Sequence, residues 1–271
     1  MKKKNIVKFP LLNLELEISE VAINIFGLGI KLYAIIIVFC IILALIWCKF
    51  KSKKYDIDFD EILNLFIILI PTVIICARLY YVIFNLDYYL KYPIEILNIR
   101  AGGLAIYGGI IGGIIASYIY CRIRKINVLN LLDCIAPILA LSQGIGRWGN
   151  FINSEAYGTE TNLPWKMGIV ENGVEKFVHP TFLYESIGTV IIFIILTILQ
   201  NKSKFEGQIA YTYLALYSLF RFFIEGLRAD SLMLFNFRIS QILSLIIFVL
   251  SVGIIIESIS KSKRMSKNEE K

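Results

Sequence analysis

Long apolar stretches separated by short polar segments form the main pattern of this chain. Most of them reach the roughly 18 residues that a helix needs to cross the hydrocarbon core of a bilayer. A transmembrane β-barrel would instead show alternating segments of about ten residues. Seven spans are predicted, at residues 28–47, 62–84, 103–120, 128–145, 182–199, 209–227 and 239–256. The pattern therefore predicts an all-α, polytopic membrane protein with about seven transmembrane helices.

The segments outside these spans are predicted to belong to the same integral membrane domain, which covers residues 1–271. Residues 1–28 are interpreted as an N-terminal surface segment, residues 155–180 as an external loop, and residues 261–271 as a cytoplasmic tail. The basic start at Met1 is typical of a signal peptide, but no small-residue cleavage site follows a compact apolar core. We therefore expect the N-terminal segment to be retained.

Clusters of Lys and Arg indicate the orientation of the spans. They follow the first, third, fifth and seventh spans, near Lys51, Arg124, Lys202 and Lys263. Under the positive-inside rule these ends are cytoplasmic, which places the N-terminus outside and the C-terminus in the cytoplasm. The lysines before residue 9 disagree, but the four later clusters outweigh them. This topology predicts a multi-pass membrane protein whose unusual polar residues lie at the outer leaflet.

Composition supports a membrane protein and excludes several other classes. Hydrophobic residues make up 57% of the chain, whereas about 45–50% is usual for soluble domains. The net charge of +7 is divided among short clusters, so no nucleic-acid partner is predicted. The five cysteines include no CxxC pair and are interpreted as packing residues. No metal or other cofactor is predicted.

A polar stretch at residues 144–158 follows the fourth span. Arg147, Asn150, Asn153 and Glu155 lie within nine positions of one another. Such groups are costly at membrane depth and persist where they face a cavity or a partner. Three glycines lie close to Arg147, at Gly144, Gly146 and Gly149. They are expected to allow close backbone approach or unusual dihedral angles near Arg147, and the stretch predicts a site for an anionic lipid headgroup.

The sixth predicted span carries a second charged set. Tyr217, Arg221, Glu225 and Arg228 are spaced by four, four and three residues, which places them within an arc of roughly 80° on one helix face. Arg221 and Glu225 can pair as i and i+4 neighbours, and this pair could serve helix packing alone. Together with Arg147, however, Arg221 could hold one phosphate, whose oxygens match guanidinium groups in a bidentate way.

The glycine-rich run at residues 102–113 has two interpretations. Gly108 with Gly112, and Gly109 with Gly113, have the small-xxx-small spacing of tightly packed membrane helices. Alternatively, a broken entry to the third span would bring Tyr107 to a ligand.

Other isolated polar residues have both a structural and a functional interpretation. His179, the only histidine, precedes the fifth span and is either a hydrogen-bonded structural residue or a catalyst. Glu185 could brace that span. Arg78 and Asp133 are further charges inside predicted spans, and each could simply pair with a neighbour.

Several motifs in order along the chain resemble those of the bacterial prolipoprotein diacylglyceryl transferases. The signature-like segment is Gly146-Arg147-Trp148-Gly149-Asn150-Phe151-Ile152-Asn153-Ser154-Glu155, followed by Gly158. The other similar segments are residues 77–82, 133–137, 179–185 and 217–228. The resemblance covers nearly the whole chain, and it implies a multi-pass protein of the bacterial cell (inner) membrane with its active site toward the outer leaflet.

The resemblance implies transfer of a diacylglyceryl group from phosphatidylglycerol to the lipobox cysteine of a preprolipoprotein signal peptide. A thioether forms and glycerol phosphate is released, which is the first step of lipoprotein maturation. The predicted partners are therefore phosphatidylglycerol, other membrane lipid and the signal peptide.

Site residues follow from the resemblance together with the charge pattern. The predicted catalytic residues are Arg147, Arg221, Tyr107 and Glu225. The predicted phospholipid-binding residues are Arg147, Asn150, Asn153, Glu155, Gly158, Tyr217 and Arg228. Tyr33, Arg78 and His179 are assigned supporting positions.

One departure from the family pattern concerns thiol activation. Many family members carry a histidine after the two glycines of the third span, where this chain has Tyr107. A phenol has a reference pKa near 10, so it is a poorer base at neutral pH. Tyr107 is therefore expected either to position substrate or to have its pKa lowered by an arginine, and His179 is the alternative base. A lipid or anion transporter and a non-catalytic membrane scaffold are the competing functional classes.

Overall fold

The computed structural model describes residues 4–25, 28–99, 102–171, 173–229, 233–235 and 237–269. Its α-helices are α1 (Leu32–Lys51), α2 (Phe59–Ile83), α3 (Leu86–Tyr89), α4 (Ile106–Arg124), α5 (Val128–Asn153), α6 (Thr181–Gln200), α7 (Gln208–Leu227) and α8 (Ile239–Glu269). Its strands are β1 (Lys4–Phe9), β2 (Leu14–Ser19), β3 (Val21–Ile25), β4 (Leu28–Lys31), β5 (Met167–Glu171), β6 (Val174–Val178), β7 (Met233–Leu234) and β8 (Phe237–Arg238). Some residues of the predicted N-terminal surface segment (1–3 and 26–27), external loop (172) and cytoplasmic tail (270–271) lie outside the described residues.

Six of the described helices are long and apolar enough to cross a membrane, namely α1, α2, α4, α5, α6 and α8. The prediction of a mainly helical, multi-pass membrane protein is therefore confirmed. Helix α7 has 20 residues and coincides with the sixth predicted span, but it does not belong to this set. Its polar residues, among them Arg221 and Glu225, lower its hydropathy.

The chain divides into two compact units, residues 1–47 with 132–271, and residues 48–131. The single domain over residues 1–271 stays a prediction.

A small antiparallel sheet in the first unit joins the N-terminal segment to the 155–180 loop, with strand order β2-β1-β5-β6. The all-α prediction omitted this sheet, although β2 carries a clear signal for it. Leu14, Leu16 and Ile18 alternate with Glu15 and Glu17, and a period of two is typical of a strand with one face packed. Of these β2 residues, Ile18 is partly buried against the core that joins the two surface segments.

The packed face of this sheet rests on the start of α6. Val7, Met167, Ile169 and Val178 are almost fully buried and cluster with Phe182 of α6. On the exposed side, the Lys8 ammonium lies 3.1 Å from Glu175 Oε1 and 3.7 Å from Glu15 Oε2. The hydrogen bond to Glu175 and the charge of Glu15 raise the pKa of Lys8 above its ordinary value.

Helices α5, α6 and α7 share an apolar core in the first unit, and α7 also packs along α8. Asp133 of α5 caps the start of α7. Its Oδ2 accepts the backbone N–H of Gly207 and its Oδ1 that of Ala210, each at 2.8 Å. These bonds satisfy donors that a helix start leaves without intrahelical partners. Asp133 therefore pairs with backbone groups rather than with another charge.

In the second unit, glycines of α4 allow it to pack closely on α2. A Cβ atom at Gly108 would lie 2.4 Å from the carbonyl oxygen of Cys76, and one at Gly112 would lie 2.4 Å from Cys76 Cβ. Larger side chains would push the two helices apart, which confirms the helix-contact interpretation of this glycine pair. Gly102 and Gly103, just before α4, have φ angles of +95° and +75° that favour glycine.

Candidate functional site

Three arginines in the first unit contact the same buried carboxylate, Glu185. Arg147 Nη2 lies 2.6 Å from Glu185 Oε2. On the other oxygen, Glu185 Oε1, Arg221 Nη1 lies at 3.1 Å and Arg228 Nη1 at 3.4 Å. Only 3% of the Glu185 side chain is exposed, whereas 22% of Arg147 and 18% of Arg221 remain accessible. We call these three arginines with Glu185 and Glu225 the guanidinium cluster.

The helix directions explain why these groups meet. Arg147 lies near the end of α5, Glu185 near the start of α6, and Arg221 near the end of α7. Because consecutive helices run in opposite directions, these positions fall at the same end of the bundle. A carboxylate near a helix start and cations near helix ends also agree with the helix dipoles.

A second buried carboxylate, Glu225, holds Arg221 from the same helix. Arg221 Nη2 lies 2.6 Å from Glu225 Oε2, the i and i+4 pair that the spacing predicted. Arg221 thus bridges two carboxylates. From beyond the end of α7, Arg238 donates to the backbone carbonyl of Glu225. Arg221 therefore contacts the side chain of Glu225, and Arg238 contacts its main chain.

An amide arm extends from Arg147 along the last turns of α5. Arg147 Nη1 donates to Asn150 Oδ1 at 3.4 Å. The amide groups of Asn150 and Asn153 both donate to Glu155 Oε1, at 3.2 and 3.1 Å. Ser154 and Ala156 have positive φ angles of 51° and 56°, which turn the chain back after the helix. The structure therefore brings the predicted polar residues of this stretch into one hydrogen-bonded group.

Two expectations about the 144–158 stretch need correction. The fourth span does not end at residue 145, because α5 continues to Asn153 and carries Arg147 within regular helix. Gly144, Gly146 and Gly149 accordingly have no positive φ angle. Close approach holds for Gly144, where a Cβ atom would lie 2.5 Å from Thr189 Oγ1 of α6. The glycine thus brings α5 close to α6 near Glu185.

Gly158 connects the 155–180 loop to Arg228. These two residues form an isolated antiparallel bridge. The backbone N–H of Gly158 donates to the His179 carbonyl at 3.0 Å, and that of Thr159 donates to Leu227 O at 2.7 Å. A Cβ atom at Gly158 would lie 2.6 Å from His179 Cβ and 2.9 Å from Leu227 O. Only glycine fits where the loop meets the end of α7, so Gly158 helps to fix the position of Arg228.

The imidazole of His179 belongs to a separate aromatic network. His179 Nδ1 lies 3.3 Å from the Tyr184 hydroxyl, which accepts the Trp165 Nε1 hydrogen at 2.7 Å. The His179 main chain pairs with Thr159. These contacts agree with a structural role for His179 in shaping the loop.

The remaining predicted residues lie on α1, α2, α4 and α7. Tyr217 stacks on Tyr213, one turn before Arg221 on α7. Tyr33 is the second residue of α1, and its Cβ lies 3.5 Å from where a Cβ of Gly149 would be. Tyr107, on the first turn of α4 and 47% exposed, and Arg78 belong to the second unit. The structure therefore groups the arginines, asparagines and acidic residues of the first unit, and this group does not include Tyr107 or Arg78.

Arg78 is buried, with 7% of its surface exposed, and bonds to backbone carbonyls. Its Nε donates to Ile96 O, its Nη1 to Gly102 O and Gly103 O, and its Nη2 to Glu95 O and Asn98 O, at 2.5–3.3 Å. A guanidinium has five N–H donors, and these five contacts match that number. Arg78 therefore holds the segment between α3 and α4 in place.

Comparison with known proteins identifies the family of the chain. The family model described as prolipoprotein diacylglyceryl transferase matches residues 20–257. The chain belongs to this family.

Relatives in the prolipoprotein diacylglyceryl transferase family match almost end to end. A phosphatidylglycerol–prolipoprotein diacylglyceryl transferase of Clostridium novyi is 49% identical over 251 residues, 90% of this chain and 98% of that protein. The protein of the same name from Clostridioides difficile is 49% identical over 92% of this chain and 98% of its own. That of Finegoldia magna is 46% identical over 93% and 100%. This chain is accordingly a membrane transferase of lipoprotein biosynthesis.

The central position of Glu185 in the cluster was not predicted from the sequence. It was expected only to brace the fifth span, yet it contacts all three arginines. A lone acidic residue in an otherwise apolar 20-residue helix was the available signal, because such a charge requires a partner at membrane depth.

Proposed function

We propose that this chain transfers the diacylglyceryl group of phosphatidylglycerol to the lipobox cysteine of preprolipoproteins, and that the guanidinium cluster binds the lipid phosphate. The observation that carries this proposal is the convergence of Arg147, Arg221 and Arg228 on Glu185, within 2.6–3.4 Å. Guanidinium groups match phosphate oxygens in geometry and charge. Their accessible sides offer donors to an anion that arrives from the lipid.

The charge changes during the reaction explain the need for several cations. The cysteine thiolate attacks the terminal glyceryl carbon that bears the phosphate ester, since the thiolate is the nucleophilic form. A sulfur–carbon bond forms, the carbon–oxygen bond to phosphate breaks, and the bonding pair leaves with the glycerol phosphate oxygen. The thiol proton goes to a base. Because the phosphate gains negative charge as it leaves, preorganised arginines stabilise the transition state.

The amide arm is proposed to position the headgroup beside Arg147. Each asparagine amide has two N–H donors. Glu155 Oε1 accepts one from Asn150 and one from Asn153, which would hold both amides and leave the second donor of each for the lipid. Gly158 and Tyr217 complete this binding set, Gly158 through the main-chain position of Arg228 and Tyr217 one turn from Arg221.

Thiol activation is proposed to involve Tyr107, which stands where many family members have histidine. Its phenol is a weak base at neutral pH, so we expect Tyr107 chiefly to position substrate. His179 is the alternative base, although its contact with Tyr184 favours a structural role. Tyr33 and Arg78 are proposed to have supporting, structural roles.

We propose that α7 is a seventh span, with the N-terminus outside, the C-terminus in the cytoplasm and the site at the outer leaflet of the cell membrane. Twenty helical residues span about 30 Å, the thickness of the hydrocarbon core. The residues that lower the hydropathy of α7 include Arg221 and Glu225, which pair within the protein. Lys202 and Lys204 follow α6 at the end away from the cluster, which agrees with a cytoplasmic position under the positive-inside rule.

A transfer assay tests the proposal directly. The purified full-length protein is placed in vesicles that contain phosphatidylglycerol with labelled acyl chains, together with a synthetic lipobox peptide. We expect the peptide to gain the mass of a diacylglyceryl group through its cysteine, and a cysteine-to-serine peptide to gain nothing. Lipid or anion flux without peptide modification would contradict the proposal.

A further inference from the structure

The Glu185 carboxylate occupies the centre of the guanidinium cluster, where an anionic ligand would make the same contacts. Its two oxygens bind three arginines from α5, α7 and the segment after α7. Carboxylates and phosphates both offer paired oxygens to a guanidinium. A lipid phosphate therefore meets arginines that an internal anion already partly neutralises.

We propose that Glu185 is a positioning residue that lowers the affinity of the cluster for anions, so that glycerol phosphate leaves after the reaction. This inference rests on the function proposed above. It assigns Glu185 two effects: it holds the guanidinium groups together, and it prevents them from retaining the more highly charged product.

The exposure of these side chains indicates where the lipid phosphate would bind. Glu185 and Glu225 are 3% and 2% exposed, whereas Arg147 and Arg221 are 22% and 18% exposed. The carboxylates are thus buried behind the guanidinium groups. A phosphate can approach the accessible side of the arginines while Glu185 stays in place.

The charge of the cluster fits the substrate better than the product. Three arginines and two glutamates, joined by these ion pairs, carry a net charge of 3 − 2 = +1. At the edge of the cluster, Arg238 on the Glu225 carbonyl and Glu155 on the Asn150 amide add opposite charges that leave this sum unchanged. A phosphodiester carries one negative charge, whereas a phosphate monoester carries about −1.5 to −2 at pH 7. The substrate complex is then close to neutral and the product complex is negative. Without the Glu185 charge the cluster would be +2, which matches the product.

Inhibition by glycerol phosphate in the Glu185→Gln variant tests this role. We expect its inhibition constant to fall about tenfold or more, because a negative charge close to the bound phosphate is removed. The single-turnover transfer rate should stay within about tenfold of the wild-type rate, while steady-state turnover slows through product retention. A merely structural role predicts the opposite for both readouts: weaker inhibition and loss of single-turnover transfer.

Two further variants separate charge from packing. Glu185→Asp keeps the charge, so its inhibition constant should stay within about threefold of the wild-type value. Glu61→Gln removes a carboxylate that pairs with Arg124 in the second unit and should leave inhibition unchanged.

Arg228→Gln keeps the proposal testable if the Glu185→Gln variant does not fold. It lowers the cluster charge by one and should raise the inhibition constant about tenfold. An unchanged inhibition constant in Glu185→Gln, or in Arg228→Gln, contradicts the proposal. Absence of transfer by the wild-type protein contradicts the proposed function itself. Wild-type transfer with unchanged inhibition in Glu185→Gln contradicts only the role of Glu185, whereas unchanged inhibition in Arg228→Gln also contradicts phosphate binding by the cluster.

Discussion

Two regions of this molecule bury arginine in different ways, and the difference separates structural from chemical use of the same side chain. In the second unit, Arg78 contacts five backbone carbonyls that span residues 95–103. In the first unit, Arg147 and Arg221 contact the carboxylates of Glu185 and Glu225. Neutral carbonyls match all the donors of Arg78, whereas carboxylates offset the charge of the cluster arginines from one side.

An arginine that binds a ligand is indicated less by its burial than by whether its N–H donors are already occupied. A guanidinium whose five donors all match backbone acceptors has little capacity for a ligand. Arg147 and Arg221 keep accessible surface and sit beside further donors, such as the Asn150 amide. They are therefore the arginines to which we assign the phosphate, and the following predictions test that distinction.

The largest effect is expected from Arg147→Ala and Arg221→Ala. Each removes a cation from the proposed phosphate site, and loss of a preorganised donor to a developing anion costs about 10²–10³-fold in rate or more. Peptide lipidation in phosphatidylglycerol vesicles measures the loss. The matched control is Arg124→Gln, which removes an ion-paired arginine of the second unit and should keep activity within a few-fold. Full activity in either alanine variant would contradict the assignment of that arginine to the phosphate site.

Arg78→Ala should act on stability rather than on chemistry. Five carbonyls lose a charged donor, and each buried acceptor left without a partner costs about 1–3 kcal/mol, partly recovered by relaxation of the segment. We expect a clear fall in thermal unfolding temperature in detergent and faster proteolysis between α3 and α4. At a temperature where the variant is folded, transfer per folded molecule should fall by less than about tenfold. Unchanged stability would contradict the structural assignment.

Lysine substitutions distinguish the structural role of Arg78 from the binding role of Arg221, with a smaller expected effect. Lysine keeps the charge but has three donors instead of five and no planar fork. Arg78→Lys should therefore recover little of the lost stability, because stability there depends on five directed hydrogen bonds. Arg221→Lys should recover part of the activity lost in Arg221→Ala, because charge is the main requirement. Unfolding temperature and lipidation rate, measured in the same preparations, distinguish the two outcomes.

The smallest effect is expected from Tyr107→Phe. A phenol is in general a weaker base than an imidazole at neutral pH, so we expect transfer to fall less than about tenfold. Full activity would eliminate proton transfer by Tyr107. A loss above about 100-fold, together with a changed pH profile of the lipidation rate, would instead assign proton transfer to this residue and make the second unit part of the chemistry.

Much of the helical architecture could be predicted because membranes impose a strict length and apolarity on spanning segments. Each of the seven predicted spans lies largely within a helix, as 182–199 does in α6 (Thr181–Gln200). The first predicted span began too early, because its first four residues form strand β4 (Leu28–Lys31). The pairing of Arg221 with Glu225 also followed from sequence, since an i, i+4 spacing places two side chains together on any helix.

Two features of the structure, the length of α5 and the four-stranded sheet, differ from the prediction for specific physical reasons. The polar signature around Arg147 was predicted to leave the helix, but α5 continues to Asn153 because glycine and polar residues are tolerated in a helix whose neighbours pack against it. The pairing of β1 with β5, which joins two hairpins into one sheet, was not predicted because Val7 and the opposite residue Ile169 are 169 − 7 = 162 positions apart in the sequence. Pairing at such a distance is not visible in a local pattern.

The sequence alone determined the class of the protein, its apolar helices and the family motifs, because all of these depend on local composition and residue order. Only the tertiary structure decided that Glu185 joins Arg147, Arg221 and Arg228, and that Arg78 is occupied by backbone carbonyls. The physical reason is that a charge at membrane depth must find a partner, but the identity of that partner depends on how the helices pack. Composition reveals that the partner is needed, and the fold decides which residue it is.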